Sequence, residues 1–245
     1  MSLRVTLATS ARVLQQLRRD PRTLALVLVV PPLLLTLFRY VFDGQEQTFD
    51  RIGAPLVGVF PFISMFLVTS IAMLRERTTG TLERLMSMPL GKADLLVGYG
   101  LAFASVAALQ ASITSAVAFG LLGLDTAGSV GLVVGIAIMN ALLGMALGLF
   151  TSAFAQTEFQ AVQFLPAIVV PQILLGGLLT PPERMAEVLE WASAVLPLTY
   201  AIDALVLVTQ TGELGSELSL DIGVMAGAIV LALALGAATL RRRTP

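Results

Sequence analysis

Cysteine and histidine are both absent from the 245 residues. Without thiols there are no disulfides, no thiolate nucleophile and no soft metal ligand, and without imidazole the common general base and zinc ligand are missing. Catalytic and metal sites are therefore not expected. Charge is also scarce, at 13% of residues against about 25% in soluble domains. Aromatics are 7%. What fills the chain is apolar: 56% of residues, with a mean hydropathy of +0.88, the composition of an integral membrane protein. The formal net charge of −1 says little, because in a membrane protein the placement of charge matters more than its sum.

Crossing about 30 Å of hydrocarbon at 1.5 Å per residue takes about 20 apolar residues. Six runs meet this: Thr23–Phe42, Ala54–Leu74, Leu95–Leu122, Val130–Phe154, Ala161–Thr180 and Ile222–Leu240. Only Arg39 interrupts them, near enough to an end to snorkel. Six spans put both termini on one side. That side carries 12 basic residues: Arg4, Arg12, Arg18, Arg19, Arg22, Arg75, Arg77, Arg84, Lys92 and Arg241–Arg243. The other carries 3: Arg39, Arg51 and Arg184. Under the positive-inside rule both termini are expected in the cytoplasm, in a multi-pass protein of a bacterial or archaeal cytoplasmic membrane. The first span is expected to be retained, since the run is too long for a signal-peptide core.

Ala192–Val208 is nearly long enough for a seventh crossing. It contains Pro197 and Asp203, follows Glu183, Glu187 and Glu190, and as a span would carry Arg241–Arg243 outside. The expectation is instead two short helices over Pro182–Val208, broken near Pro197, that enter the outer leaflet and return. At the other end, Leu7, Ala11, Leu14 and Leu17 share one helical face and Arg4, Arg12, Gln15 and Arg19 another, predicting an interfacial helix.

Ion-coupled carriers generally keep ionisable groups inside the bilayer, and the six runs hold no Asp or Glu. Their polar residues are neutral, chiefly Gln110, Thr114, Asn140, Gln163 and Gln172. These either bond to neighbouring helices and their own backbone or line a substrate path. Gly135, Gly144 and Gly148 put small residues at helical spacing, a packing pattern. Pro31–Pro32, Pro61, Pro166 and Pro171 each remove a backbone donor and are expected to bend their helices.

The cytoplasmic connection runs from Arg75 to Asp94. With Thr81 as N-cap, a short helix ending at Pro89 would place Leu82, Leu85 and Met86 on one face and Glu83 and Arg84 on the other. That apolar face needs the membrane or a partner. Glu76, Gly80-Thr81-Leu82-Glu83, Met88-Pro89 and Lys92–Leu96 resemble the coupling segment of type 2 ATP-binding-cassette exporter permeases. Gly176-Gly177, Thr180-Pro-Pro182, Met185, Trp191 and Leu196-Pro197-Leu-Thr-Tyr200-Ala-Ile-Asp203-Ala-Leu205 are similar to that family's extracellular re-entrant helices. Gly98-Tyr99 departs from the family's usual Gly-Lys, and Ala186 and Val206 stand where Pro and Arg are common.

The resemblance implies an all-α membrane permease of one domain, residues 1–245. Its parts would be an interfacial helix (1–22), a coupling segment (75–94), six spans and an extracellular re-entrant pair (181–209). It implies coupling to an ATPase through Glu76, Gly80, Thr81, Leu82, Glu83, Leu85, Met86 and Pro89, and a gate at Pro182, Trp191, Pro197, Tyr200 and Asp203. No cofactor is expected in this chain, which has no phosphate loop; ATP and Mg would bind two copies of a partner ATPase subunit. A second permease, identical or related, would complete the path among membrane lipid, and no nucleic acid is involved. The expected function is outward movement of a hydrophobic or drug-like substrate (drug, antibiotic or lipid), since few aromatics argue against a polysaccharide path. The alternative is a passive channel or uncoupled secondary carrier. An intramembrane enzyme stands third, because Ser or Thr without a base at membrane depth is unactivated.

Overall fold

Helix boundaries here are set by caps and prolines as much as by apolar length. A computed structural model of the chain describes residues 3–81, 84, 92–212 and 215–239, and over these it is helical with no strand. The helices are α1 Leu3–Arg19, α2 Pro21–Val41, α3 Glu46–Thr78, α4 Lys92–Gly120, α5 Val130–Thr151, α6 Glu158–Phe164, α7 Val170–Leu175, α8 Glu187–Ser193, α9 Pro197–Gln210 and α10 Ser216–Thr239. Asp20 separates α1 from α2 by accepting from Thr23 N (3.2 Å) and Thr23 Oγ1 (2.7 Å), with Pro21 in the first turn. Thr157 caps α6 through Gln160 N at 3.2 Å.

Six segments are long and apolar enough to cross a membrane: α2, α3, Val97–Gly120 of α4, α5, Glu158–Leu175 and α10. They coincide with the six apolar runs, with two differences. At 33 residues, α3 spans about 50 Å, longer than the roughly 30 Å of a hydrocarbon core. And α10 starts at Ser216, so it carries Glu217 and the buried Asp221, which precede the charge-free run Ile222–Leu240.

The bent pair α8–α9 turns by 87°, and its surroundings exclude a seventh crossing. Glu158 at the start of α6 pairs with Arg75 near the end of α3, on the face that carries α1. At the opposite face, Ala127 N in the α4–α5 turn donates to Thr209 O at 2.8 Å, and a Cβ on Gly128 would lie 2.4 Å from Val208 O. The stretch from α6 to α9 therefore crosses once. The following helix, α10, returns, and a Cβ on Gly236 would lie 3.6 Å from Phe150 Cα at the end of α5.

The core is built around α3 and α5. A Cβ on Gly144 would sit 2.2 Å from Phe62 O, and one on Gly148 2.4 Å from Phe66 O, so only glycine permits this approach. Gly135, the third member of that stripe, faces open space. One side of α9 is wholly buried through Leu198, Ala201, Leu205 and Val208. Pro31, Pro32, Pro55 and Pro61 lie inside continuous helices. Pro166 instead lies within a π turn, Leu165–Val169, between α6 and α7, and Pro171 in the first turn of α7, where missing donors shift the hydrogen-bond ladder.

Candidate functional site

Three consecutive residues, Arg75, Glu76 and Arg77, lie in the last turn of α3, and a helix turns about 100° per residue, so they point in three directions. Arg75 grips Glu158 of α6 with bonds of 2.7 and 3.2 Å. Glu76, 8% exposed, pairs with Arg12 of α1 at 3.3 Å. Arg77 donates to Ser152 O beyond α5 at 3.4 Å. The exit of α3 is a hub joining α1, α5 and α6.

Tyr99 of α4 completes it. Arg12 donates to the buried Tyr99 hydroxyl, and its Cζ lies 5.5 Å from the Tyr99 ring centroid. One turn away Thr6 donates to Asp94 at 3.4 Å. The face of α1 that packs inward is Thr6, Thr9, Ser10 and Val13, while Leu3 and Leu7 are exposed. The apolar stripe read from the sequence is divided, with Leu7 and Ala11 exposed and Leu14 and Leu17 half-buried against the core, and the small hydroxyl residues make the tightest contact with the bundle. They come so close that a Cβ on Gly98 would lie 2.6 Å from Thr9 Cβ.

Beyond the hub, Thr79 caps α3 and Gly80 reverses the chain at φ +70°. Arg84 N donates to Gly80 O at 3.1 Å, so the next turn opens at Gly80, one residue before the expected Thr81 cap; Thr81 Oγ1 lies 3.0 Å from Thr79 Oγ1. Leu82, Glu83, Leu85, Met86 and Pro89 lie outside the described residues. Glu76, expected to face a docked partner, is turned inward to Arg12. Arg12, Arg75 and Tyr99 were not recognised as candidates from the sequence. Their signal was the Gly98-Tyr99 departure: the glycine admits α1 and the tyrosine receives Arg12.

At the opposite face Pro182 begins a 3₁₀ turn, Pro197 occupies the first turn of α9, and Trp191 on α8 is 73% exposed. Tyr200 donates to Ala194 O (2.7 Å) and Thr199 to Ser193 O (2.9 Å), stapling α9 back onto α8. Asp203 is exposed on α9, beside Gly177. Arg39 anchors the same face through Asp43 (3.9 Å), Glu46 (3.7 Å) and Leu122 O (3.3 Å).

The five neutral polar residues are not gathered into one cavity. Thr114 bonds back to Gln110 O (2.9 Å) and Gln172 to Ile168 O (3.2 Å), as a local role predicts. Gln163 is exposed. Gln110 and Asn140 have no exposed surface, and their amide groups have no hydrogen-bond partner among the described residues.

Six helical segments long and apolar enough to cross a membrane, a further helix before them, a glycine turn after the second and a bent pair before the last define a polytopic all-helical membrane protein. The chain matches the ABC-2 type transporter family over residues 4–209 and belongs to it. It is 29% identical over 148 residues to YbhR, a probable multidrug ABC transporter permease of Escherichia coli strain K12, covering 60% of this chain and 40% of that one. To YbhS of the same strain, also named a probable multidrug ABC transporter permease, it is 23% identical over 213 residues, 86% of this chain and 56% of that one. To ABC transporter G family member 20 of Dictyostelium discoideum it is 25% identical over 166 residues, 67% of this chain and 23% of that one. The alignments thus cover only about a quarter to just over half of those proteins.

Proposed function

We propose that this chain is the transmembrane subunit of an ATP-binding-cassette exporter that moves a hydrophobic or drug-like molecule out of the cytoplasm. Energy comes from ATP hydrolysis, with Mg, on two copies of a separate ATPase, and a second permease completes the path. The observation that carries this reading is the family match over residues 4–209, with the two motif segments at opposite faces of one bundle.

In this reading the α1 face is cytoplasmic, as its excess of arginine supports. The segment from Gly80 to Pro89, with Thr81, Leu82, Glu83, Leu85 and Met86, receives the ATPase stroke. Thrust on it passes into the end of α3, where Arg75, Glu76 and Arg77 distribute it to α6, α1 and α5. At the far face Pro182, Trp191, Pro197, Tyr200 and Asp203 form the gate. Its second helix, α9, is buried in the bundle, which leaves α8 as the moving part. Gln110, Thr114, Asn140, Gln163 and Gln172 are assigned to the path; the unmet hydrogen-bonding capacity of Gln110 and Asn140 supports a role in which moving helices expose them.

The test is co-reconstitution with the ATPase in proteoliposomes. A panel of drugs and lipids should stimulate ATP hydrolysis and one of them should be transported, while the permease alone neither binds nor hydrolyses ATP. Glu83→Ala and Leu85→Asp should uncouple the complex and still insert. Transport that needs no ATPase would support the passive alternative instead.

A further inference from the structure

Between α1, α2, α3 and α4 lies a cavity of about 690 Å³, within the 300–1,000 Å³ typical of small-molecule sites. Its walls are apolar: Leu26, Val27, Leu67, Val68, Ile71 and Phe103 among them. Apart from Ser64, its polar residues gather toward the hub and the α1–α2 junction, Asp20, Arg75 and Glu76 carrying the charge.

The charges at that end are unequally committed. Arg75 is held bidentately by Glu158. Glu76 gives Oε1 to Arg12, but its buried Oε2 has no hydrogen-bond partner among the described residues. Asp20 accepts both bonds from Thr23, which hold its carboxyl below the usual carboxylate range. An apolar slot thus ends in two carboxylates, with Arg75 held by Glu158 and Arg12 taking one Glu76 oxygen, so that the second Glu76 oxygen and the Asp20 carboxylate are what the slot offers a ligand. A cationic head group matches that end, whereas an anionic one would meet Asp20 and Glu76.

We propose that this cavity binds an amphipathic organic cation, with its apolar body among the α2, α3 and α4 side chains and its ammonium or amidinium group at Glu76 and Asp20. None of the five residues assigned to the path lines it, so it is a separate site. Binding here stands by itself; its role as the loading site of the cycle rests on the exporter reading. Because Glu76 also holds Arg12, an occupant would load the α3–α1 latch directly.

The test uses the full chain in nanodiscs without the ATPase, which separates it from any test of export. The probe is a dansylated alkyl trimethylammonium, compared with the dansylated alcohol and the alkyl sulfonate of equal length. The cation should bind saturably and more tightly than either. Glu76→Gln and Asp20→Asn should each weaken it, Glu76→Gln by about tenfold, and leave the alcohol unchanged; Asn still caps α2, so the second variant keeps the fold. Ile71→Trp should abolish binding of both. A Ser64→Cys variant, in a chain free of other cysteines, should be protected from a maleimide by the cation. Equal affinity for cation and alcohol would overturn the charge assignment, and unchanged binding in Ile71→Trp or no protection at position 64 would overturn the site. If the cation fails to bind and the full complex still exports drugs, the site is wrong and the exporter reading stands.

Discussion

The end of α3 and the bent pair α8–α9 are both places where a helix stops being a simple span, and they are held in different ways. At the end of α3 charged side chains reach across the sequence: Arg12 to Glu76, Arg75 to Glu158, Arg77 to Ser152. At the bent pair, hydroxyls of Thr199 and Tyr200 reach carbonyls six residues earlier. The first arrangement ties several helices into one stiff node. The second fixes a local angle and leaves α8 at the surface, with Trp191 outward. A node suits receiving force from a partner, and a hinge suits yielding to it.

The comparison can be broken most severely at Gly98. Gly98→Leu drives a side chain into Thr6 and Thr9 and should lift α1, costing about 3 kcal/mol, read as a lower midpoint in thermal unfolding of the detergent-solubilised protein. Arg12→Ala comes next. It leaves the Glu76 carboxylate buried without its cation, a loss of about 2 kcal/mol given that Arg12 is partly exposed; adding Glu76→Gln should recover part of it. An unchanged midpoint for Arg12→Ala would mean that the node is not one. At the hinge, Tyr200→Phe removes one bond to a carbonyl and should cost about 1 kcal/mol or less, with faster proteolysis near residue 194 as the local readout. The smallest effect belongs to Arg75→Ala, where the pair with Glu158 is half exposed and worth about 0.5 kcal/mol; raising salt to 1 M should erase it.

How far the sequence revealed these two ends follows from the range of the forces involved. Spans are local: a run such as Val130–Phe154 can do little except form a buried helix, and α5 appeared there. The break at Pro197 is local too, since proline cannot continue the helix of α8. The node is not local. Arg12 and Glu76 are 64 residues apart and Arg12 and Tyr99 are 87 apart, so each of those residues read alone as a flanking charge, a motif member or a family departure. What α1 packs against was not legible for a related reason. Hydrophobicity marks the side of an interfacial helix that meets lipid, whereas close approach to a neighbour selects small residues such as Thr9 and Gly98. And Asp221 was passed over because a search for charge-free runs stops one residue after it, although α10 extends five residues further toward its start.

If the chain works as proposed, motion of the node at the end of α3 reaches the α8–α9 hinge. Glu187→Cys places a reporter on exposed α8 in a protein with no other cysteine. In proteoliposomes with the ATPase, its reaction with an impermeant maleimide from the α8 side should quicken during ATP turnover and fall back with a non-hydrolysable analogue or with Arg12→Ala at the node. A labelling rate indifferent to both turnover and Arg12 would contradict the account.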